Sequence, residues 1–345
     1  MAEFFDEENA VDLSYNDLDT FPDFLSSHAT RYISLKLDHN NITILSRQIG
    51  KYESLVTLDI SDNKMTYLSD ELTRLSSLRS LIAKNNRLDE DTLPKNFGTM
   101  KSLQLINFAG NRFNELPTQF TELENLNRLF MGANRLKTLP ESISQLTQLE
   151  VLYVGGNKLQ SIPESIGDLK YLTAMILSDN QLTSLPDSIL KLRRLQSLSL
   201  HNNQLQTLPP QIVGLQLTEL SLRNNPLVIR FVEDLIWEPP SLKELAGRVA
   251  KRHHLTYTEY DLPRCLIEYL SSAHQCVNPK CRGVYFTSRV EHVKFVDFCG
   301  KFRLPLMQYL CSPACTAESP RVRKCSETDS DEDTPVTRMK KVLLG

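Results

Sequence analysis

At 345 residues and a formal net charge of -3, the chain is longer than one ordinary domain and carries no basic excess, which excludes the electrostatic footprint of a nucleic-acid binder. Residues 1–10 are acidic and lack the apolar centre of a secretion signal, and no segment approaches the roughly 18 apolar residues of a membrane span, so no membrane partner is expected. All seven cysteines fall at or beyond Cys265, an odd set that argues against a secreted disulfide framework and predicts a reducing compartment: cytoplasmic, with the nucleus also allowed.

After the tail at 1–10, asparagine recurs at Asn16, Asn40, Asn63, Asn86, Asn111, Asn134, Asn157, Asn180, Asn203 and Asn225. Each lies in a Leu-x-x-Leu-x-Leu-x-x-Asn-x-Leu frame, clearest at Leu195, Leu198, Leu200, Asn203 and Leu205. This is the period of a leucine-rich repeat solenoid, an α/β fold in which about ten repeats over 11–235 build a curved parallel sheet. Leu198 and Leu200 alternate along a strand and point to one side, making a face that a single repeat cannot cover and a stack can. The asparagine amide is both donor and acceptor, so it is expected to satisfy backbone groups of each turn in a ladder. Ile143, Leu146 and Leu149, with Ile166, Leu169 and Leu172 one repeat on, form a second inward stripe on the convex side. Nearly all of these frame residues are therefore expected to be core.

Between the two strand leucines one residue per repeat faces out of the sheet: Asp12, Lys36, Asp59, Ile82, Asn107, Phe130, Tyr153, Ile176, Ser199 and Ser221. The middle of this row is apolar, and Leu105, Val151 and Ala174 widen it. Ala109, Gly132 and Gly155 alongside are small, which is expected to leave the aromatic rings accessible. Arg128 and Arg135, with Lys84, Arg87, Arg112 and Lys158, are expected to ring the patch with positive charge. Contiguous exposed aromatics and aliphatics mark a protein contact. The candidate substrate-binding residues are therefore Ile82, Leu105, Arg128, Phe130, Arg135, Val151, Tyr153 and Ile176. The plainer alternative is that they solvate the sheet or pack on one another.

A helical segment is expected over 236–272. Trp237-Glu238-Pro239-Pro240 ends the repeats, Ser241 is an N-cap, and Glu244 occupies the capping-box position. Leu242, Leu245, Ala246, Val249 and Ala250 fall at i, i+3, i+4, i+7 and i+8, one apolar stripe. By periodicity alone the stripe suits core as well as docking. Ser-Leu-x-x-x-Ala-x-x-x-Ala resembles the elongin C-binding box of substrate receptors for cullin ubiquitin ligases, with Ala246 where that box often has Cys. Leu262-Pro263-Arg264-Cys265-Leu266-Ile267-Glu268-Tyr269-Leu270 resembles a cullin box, with Leu262, Pro263, Leu266 and Leu270 on matching positions. Arg264 and Cys265 replace the apolar-Pro pair of cullin 5 receptors and lean the match toward cullin 2. The resemblance implies a non-catalytic receptor that binds elongin C and elongin B through Leu242, by helix-in-groove recognition, and then cullin 2 (or cullin 5) with its RING subunit.

In 273–318, Cys276-x4-Cys281 and Cys311-x3-Cys315 bracket an apolar, strand-like stretch. Two short-spaced pairs predict a tetrahedral four-thiolate zinc site with no open ligand position, hence a structural metal. Cys299, His274 and His292 are alternative ligands, buried free thiols are the plainer reading, and Cys299 and Cys265 are expected as small core residues. Residues 319–345 contain an acidic run and are expected to be disordered, with Ser326, Thr328 and Ser330 at acid-directed kinase spacing. Across repeats and tail alike, the chain resembles a family of leucine-rich repeat receptors of cullin-RING ligases. The resemblance is most specific in Cys276-Val-Asn-Pro-Lys-Cys281, Phe295-Val-Asp-Phe-Cys-Gly300 and Met339-Lys-Lys-Val-Leu-Leu-Gly345. The alternative function is an intracellular signalling scaffold that binds a GTPase or phosphatase on the same inner face, which leaves the two boxes and the cysteine pairs unexplained. No clustered Ser, His and acid, phosphate loop or open metal site points to an enzyme.

Overall fold

The computed structural model describes residues 9–209, 212, 214–227, 240–278, 281, 283–298, 302–316 and 341–343. The chain forms two compact units, one built from the repeats and one mainly from the segment after them.

In the first unit the strands are β1 (Ala10–Asp12), β2 (Ser34–Lys36), β3 (Thr57–Asp59), β4 (Ser80–Ile82), β5 (Leu105–Asn107), β6 (Arg128–Phe130), β7 (Val151–Tyr153), β8 (Ala174–Ile176), β9 (Ser197–Ser199) and β10 (Glu219–Ser221). They pair in parallel, in chain order and in register, and the middle residue of each is buried. Short 3-10 turns form the convex side, such as Glu141–Gln145, Glu164–Asp168 and Asp187–Lys191, and among the described residues one α-turn replaces them, at α1 (Thr118–Thr121). Pro140, Pro163 and Pro186 stand at the entries, where a missing N–H costs nothing and φ is already set. Ile143, Leu146, Leu149, Ile166, Leu169 and Leu172 are fully buried behind the sheet, as expected of the second stripe.

The ladder forms. Asn157 Oδ1 accepts from the N–H of Leu136 at 3.0 Å, while its Nδ2 donates to the carbonyls of Met131 at 3.0 Å and Val154 at 2.9 Å. One side chain thus closes its own turn and ties it to the preceding repeat; Asn134 and Asn180 do the same. The residue just before the ladder asparagine is left-handed in repeat after repeat: His39, Asp62, Asn85, Gly110, Ala133, Gly156, Asp179 and Asn202 have φ from 50° to 70°. Glycine, asparagine and aspartate tolerate that backbone, whereas Ala133 carries strain. Phe97, Phe108, Phe113 and Phe120 stack below the middle strands with ring centroids 5.3 to 6.3 Å apart.

One expectation is corrected. The tail at 319–345 does not stay unpaired to its end, because Lys341–Leu343 forms a parallel strand on β10, with Val342 opposite Leu220. The last repeat presents an open row of N–H and C=O groups, and an apolar strand satisfies it. Residues 317–340, including the serines and threonine of the acidic run, lie outside the described residues.

The second unit holds α2 (Leu242–Arg252) and α3 (Arg264–Ser271). These are followed by the antiparallel pair β11 (His274–Gln275) and β12 (Val284–Tyr285), the hairpin β13 (Val290–Phe298) and β14 (Phe302–Leu310), and a 3-10 turn at Pro313–Thr316. The hairpin pairs without a break from Val290–Leu310 to Phe298–Phe302.

Candidate functional site

β11 and β14 end one residue before Cys276 and Cys311, so two strands deliver the first thiol of each pair. Cys281 sits in the turn after β11 and Cys315 in the final 3-10 turn. The four sulfurs lie within 4.8 Å of one another, with Cys281–Cys311 and Cys311–Cys315 both at 3.6 Å. Four thiolates at about 2.3 Å from a tetrahedral zinc have sulfur–sulfur edges of about 3.8 Å. A disulfide needs about 2.05 Å. The donor set therefore fits a metal ion. Backbone N–H groups point at the sulfurs, from Gly283 to Cys281 at 3.2 Å and from Cys311 to Cys276 at 3.4 Å, the outer support a thiolate site uses. A side chain at Gly283 would place its Cβ 2.7 Å from the Cys311 sulfur, so only glycine fits there. Burial pushes the Cys281 and Cys311 thiols up; Cys315, against the same burial, is held below its ordinary value by Ser312 and the neighbouring sulfurs. His274 stacks on Tyr285 at 5.5 Å, and neither it nor His292 joins the thiol group. Cys299 lies outside the described residues, and Cys265 is exposed on α3 rather than in the core.

Helix α2 is inside out. Its buried residues are Glu244, whose side chain is 1% exposed, and Gly247. The Glu244 carboxylate accepts from the N–H groups of Phe286 at 3.2 Å and Ser288 at 2.8 Å, from the Thr287 hydroxyl at 3.0 Å and from Arg248 Nε at 3.1 Å. Burial alone would raise its pKa, but the bonds from Ser288, Arg248, Phe286 and Thr287 hold it below the ordinary carboxylate value. Arg248 also donates to the carbonyl of Cys311 at 2.7 Å and to that of Ser288. Gly247 admits the Phe286 ring, which a Cβ would meet at 2.9 Å, and that ring stacks on Tyr269 of α3 at 4.4 Å. The consequence is an apolar face turned to solvent: Leu242 is 85% exposed, Val249 55% and Leu245 44%, with Ala246 exposed and Ala250 half-buried. The Ser241 cap forms, its Oγ accepting from the Glu244 N–H at 3.2 Å, but the other half of the expected capping box does not, because the loop at 286–288 takes the carboxylate.

On α3, Pro263 is the exposed N-cap and Leu262 and Leu266 are half-buried. Leu270 departs from its expected surface role. It is only 6% exposed, at the last turn of the helix.

On the first unit, Ile82, Asn107, Phe130, Tyr153 and Ile176 stand side by side across β4 to β8, and Leu105, Arg128, Val151 and Ala174 form the parallel row. The Phe130 and Tyr153 rings are 6.2 Å apart. Gly132 has a different role from the one expected, since the Tyr153 ring occupies the space a side chain there would need, so the glycine seats the ring. Tyr153 and Arg128 are exposed, and Ile82, Leu105, Phe130, Val151 and Ile176 are half-buried. Arg135 is exposed one position past ladder Asn134.

Over 99% of its length the chain is 48% identical to Leucine-rich repeat-containing protein 58 of Xenopus tropicalis and 53% identical to that of Xenopus laevis, covering 99% of each. The chain belongs to the leucine-rich repeat-containing protein 58 family. The human protein of that name is 62% identical over 88 residues, 26% of this chain and 24% of that protein. The leucine rich repeat family model matches residues 102–159 and 170–227. Among solved structures, a leucine-rich repeat protein of Leptospira interrogans aligns with a TM-score of 0.52 and 32% identity, over 62% of this chain and 60% of that one. The Arabidopsis receptor kinase HAESA, solved with a peptide hormone and a co-receptor, aligns at 0.56 and 29%, over 63% and 38%. The fold is one suited to protein binding. Among the described residues no helix is long and apolar enough to cross a membrane.

Sequence reasoning missed Glu244, Gly247 and Arg248 as a set. Two signals were present: a mid-helix glycine, which costs about 1 kcal/mol and implies close approach, and an i, i+4 Glu–Arg pair beside it.

Proposed function

We propose that the chain is the substrate-recognition subunit of an elongin B/C cullin-RING ubiquitin ligase. The observation that carries this reading is the exposed ridge of Leu242, Leu245 and Val249 on α2. An amphipathic helix normally turns its apolar stripe to its own core. Here the charged side is buried and the ridge is left for a foreign groove, where each leucine removed from water contributes about 1.5–3 kcal/mol. The ridge has the residue pattern of an elongin C-binding box. Leu262, Pro263 and Leu266 supply the cullin contact, and Arg264 and Cys265 favour cullin 2 over cullin 5. The concave row centred on Phe130 and Tyr153 captures the protein substrate, with Arg128 at its edge, and the four thiols hold a structural zinc. The chain does no chemistry of its own: it raises the effective concentration of substrate lysines near a charged ubiquitin-conjugating enzyme in the cytoplasm.

Affinity purification of the tagged chain, with proteasome and neddylation blocked, tests the reading. Elongin B, elongin C and a cullin are expected to co-purify, and Leu242→Ala is expected to lose them. Their absence from the wild-type eluate overturns it.

A further inference from the structure

The hydrogen bonds that turn the charged face of α2 inward end on Cys311 itself and on residues 286–288, just after β12. Arg248 donates to the carbonyl of Cys311, whose own N–H donates to the Cys276 sulfur. Glu244 accepts from Phe286, Thr287 and Ser288, just beyond Gly283, whose N–H donates to the Cys281 sulfur and whose carbonyl accepts from the N–H of Cys276. At the far end of the cluster, Asn278 Nδ2 donates to the carbonyl of Cys315 at 3.0 Å. A carboxylate and a guanidinium stay buried only while every one of these partners is in place. Cys276, Gly283 and Cys311 thus belong both to the bonds around the sulfurs and to the chain that carries these partners.

We propose that metal loading of the four-cysteine cluster clamps α2 with its apolar ridge outward, with Glu244 and Arg248 as the positioning residues that connect the metal to the ridge. Without the ion, the loops no longer fix the groups around Glu244 and Arg248. Both charges then regain water, and the helix lowers its free energy by turning Leu242, Leu245 and Val249 away from solvent. Partner capture through the ridge therefore requires zinc. Because the two equilibria are linked, a partner on the ridge tightens zinc by the factor by which zinc tightens the partner. The partner's identity as elongin B/C rests on the function proposed above, whereas the clamp does not.

The experiment is hydrogen exchange and elongin B/C titration on the full chain, loaded with zinc and after removal of the ion by a chelator. Chelation is expected to speed exchange at 242–252 by about tenfold or more, leave the ladder strands from 105 to 199 unchanged, and weaken capture by a similar factor. Glu244→Gln and Arg248→Ala are expected to reproduce both effects with zinc still bound, which a role confined to holding the metal would not do. Equal exchange at 242–252 with and without zinc overturns the clamp, as does wild-type behaviour of both variants. If exchange responds to zinc while elongin B/C binds in neither state, the clamp stands and the receptor function falls.

Discussion

In the solenoid, Asn157 is one of eight buried ladder asparagines, each closing a turn with the same few bonds; in the C-terminal unit, Glu244 has no copy. The repeats distribute burial over many equivalent leucines, so every apolar stripe finds a neighbour's stripe to cover it. The second unit buries a charged pair and gathers four thiols instead, and that choice leaves an apolar ridge in water. Redundancy gives a rigid platform, whereas an unrepeated polar contact can dictate which side of a helix a partner meets.

Four experiments sharpen or break this contrast. Metal removal has the largest expected effect, on the order of 10 kcal/mol of folding free energy confined to the C-terminal unit. Limited proteolysis with and without chelator checks it: cleavage should rise beyond residue 240 and stay unchanged within the repeats, and equal resistance would erase the contrast. Next, Asn157→Ala strands the Leu136 N–H, while the carbonyls of Met131 and Val154 each lose one bond and keep those from Asn134 and Asn180, a loss of about 1–3 kcal/mol read as a lower denaturant midpoint for the solenoid. The double change Phe130→Ala with Tyr153→Ala should then weaken substrate capture by about 2 kcal/mol while elongin B/C binding is unaffected; loss of both together would mean the two units do not divide the work. The smallest effect is a gain. Ala133→Gly relieves a left-handed alanine worth about 1–2 kcal/mol and returns part of that as unfolded-chain entropy, so thermal unfolding should rise by the equivalent of about 0.5 kcal/mol.

The solenoid was legible because its signal is repeated: the Asn frame, the strand leucines and the convex stripe each recur at one period, and stacking admits one way of covering them. The cysteine quartet was legible from two spaced pairs. The orientation of α2 was not, because a helical stripe at i, i+3, i+4 and i+7 looks the same whether it faces core or solvent. Here the deciding partners of Glu244 and Arg248 lie some forty to sixty residues away, at Ser288 and Cys311. Leu270 was misread for the same reason, since a leucine on matching spacing does not announce which side of α3 is already covered. Lys341–Leu343 escaped because a three-residue strand carries no period of its own and is specified by the open edge of β10.

The central claim is that the α2 ridge is a docking surface, and calorimetric titration of elongin B/C into the zinc-loaded chain and its Leu242→Ala variant tests it most directly. The wild-type chain should bind, and the variant should bind at least about thirtyfold more weakly, the equivalent of about 2 kcal/mol, with unchanged unfolding because Leu242 is 85% exposed. Equal binding by the variant, or none by the zinc-loaded wild type, would contradict it.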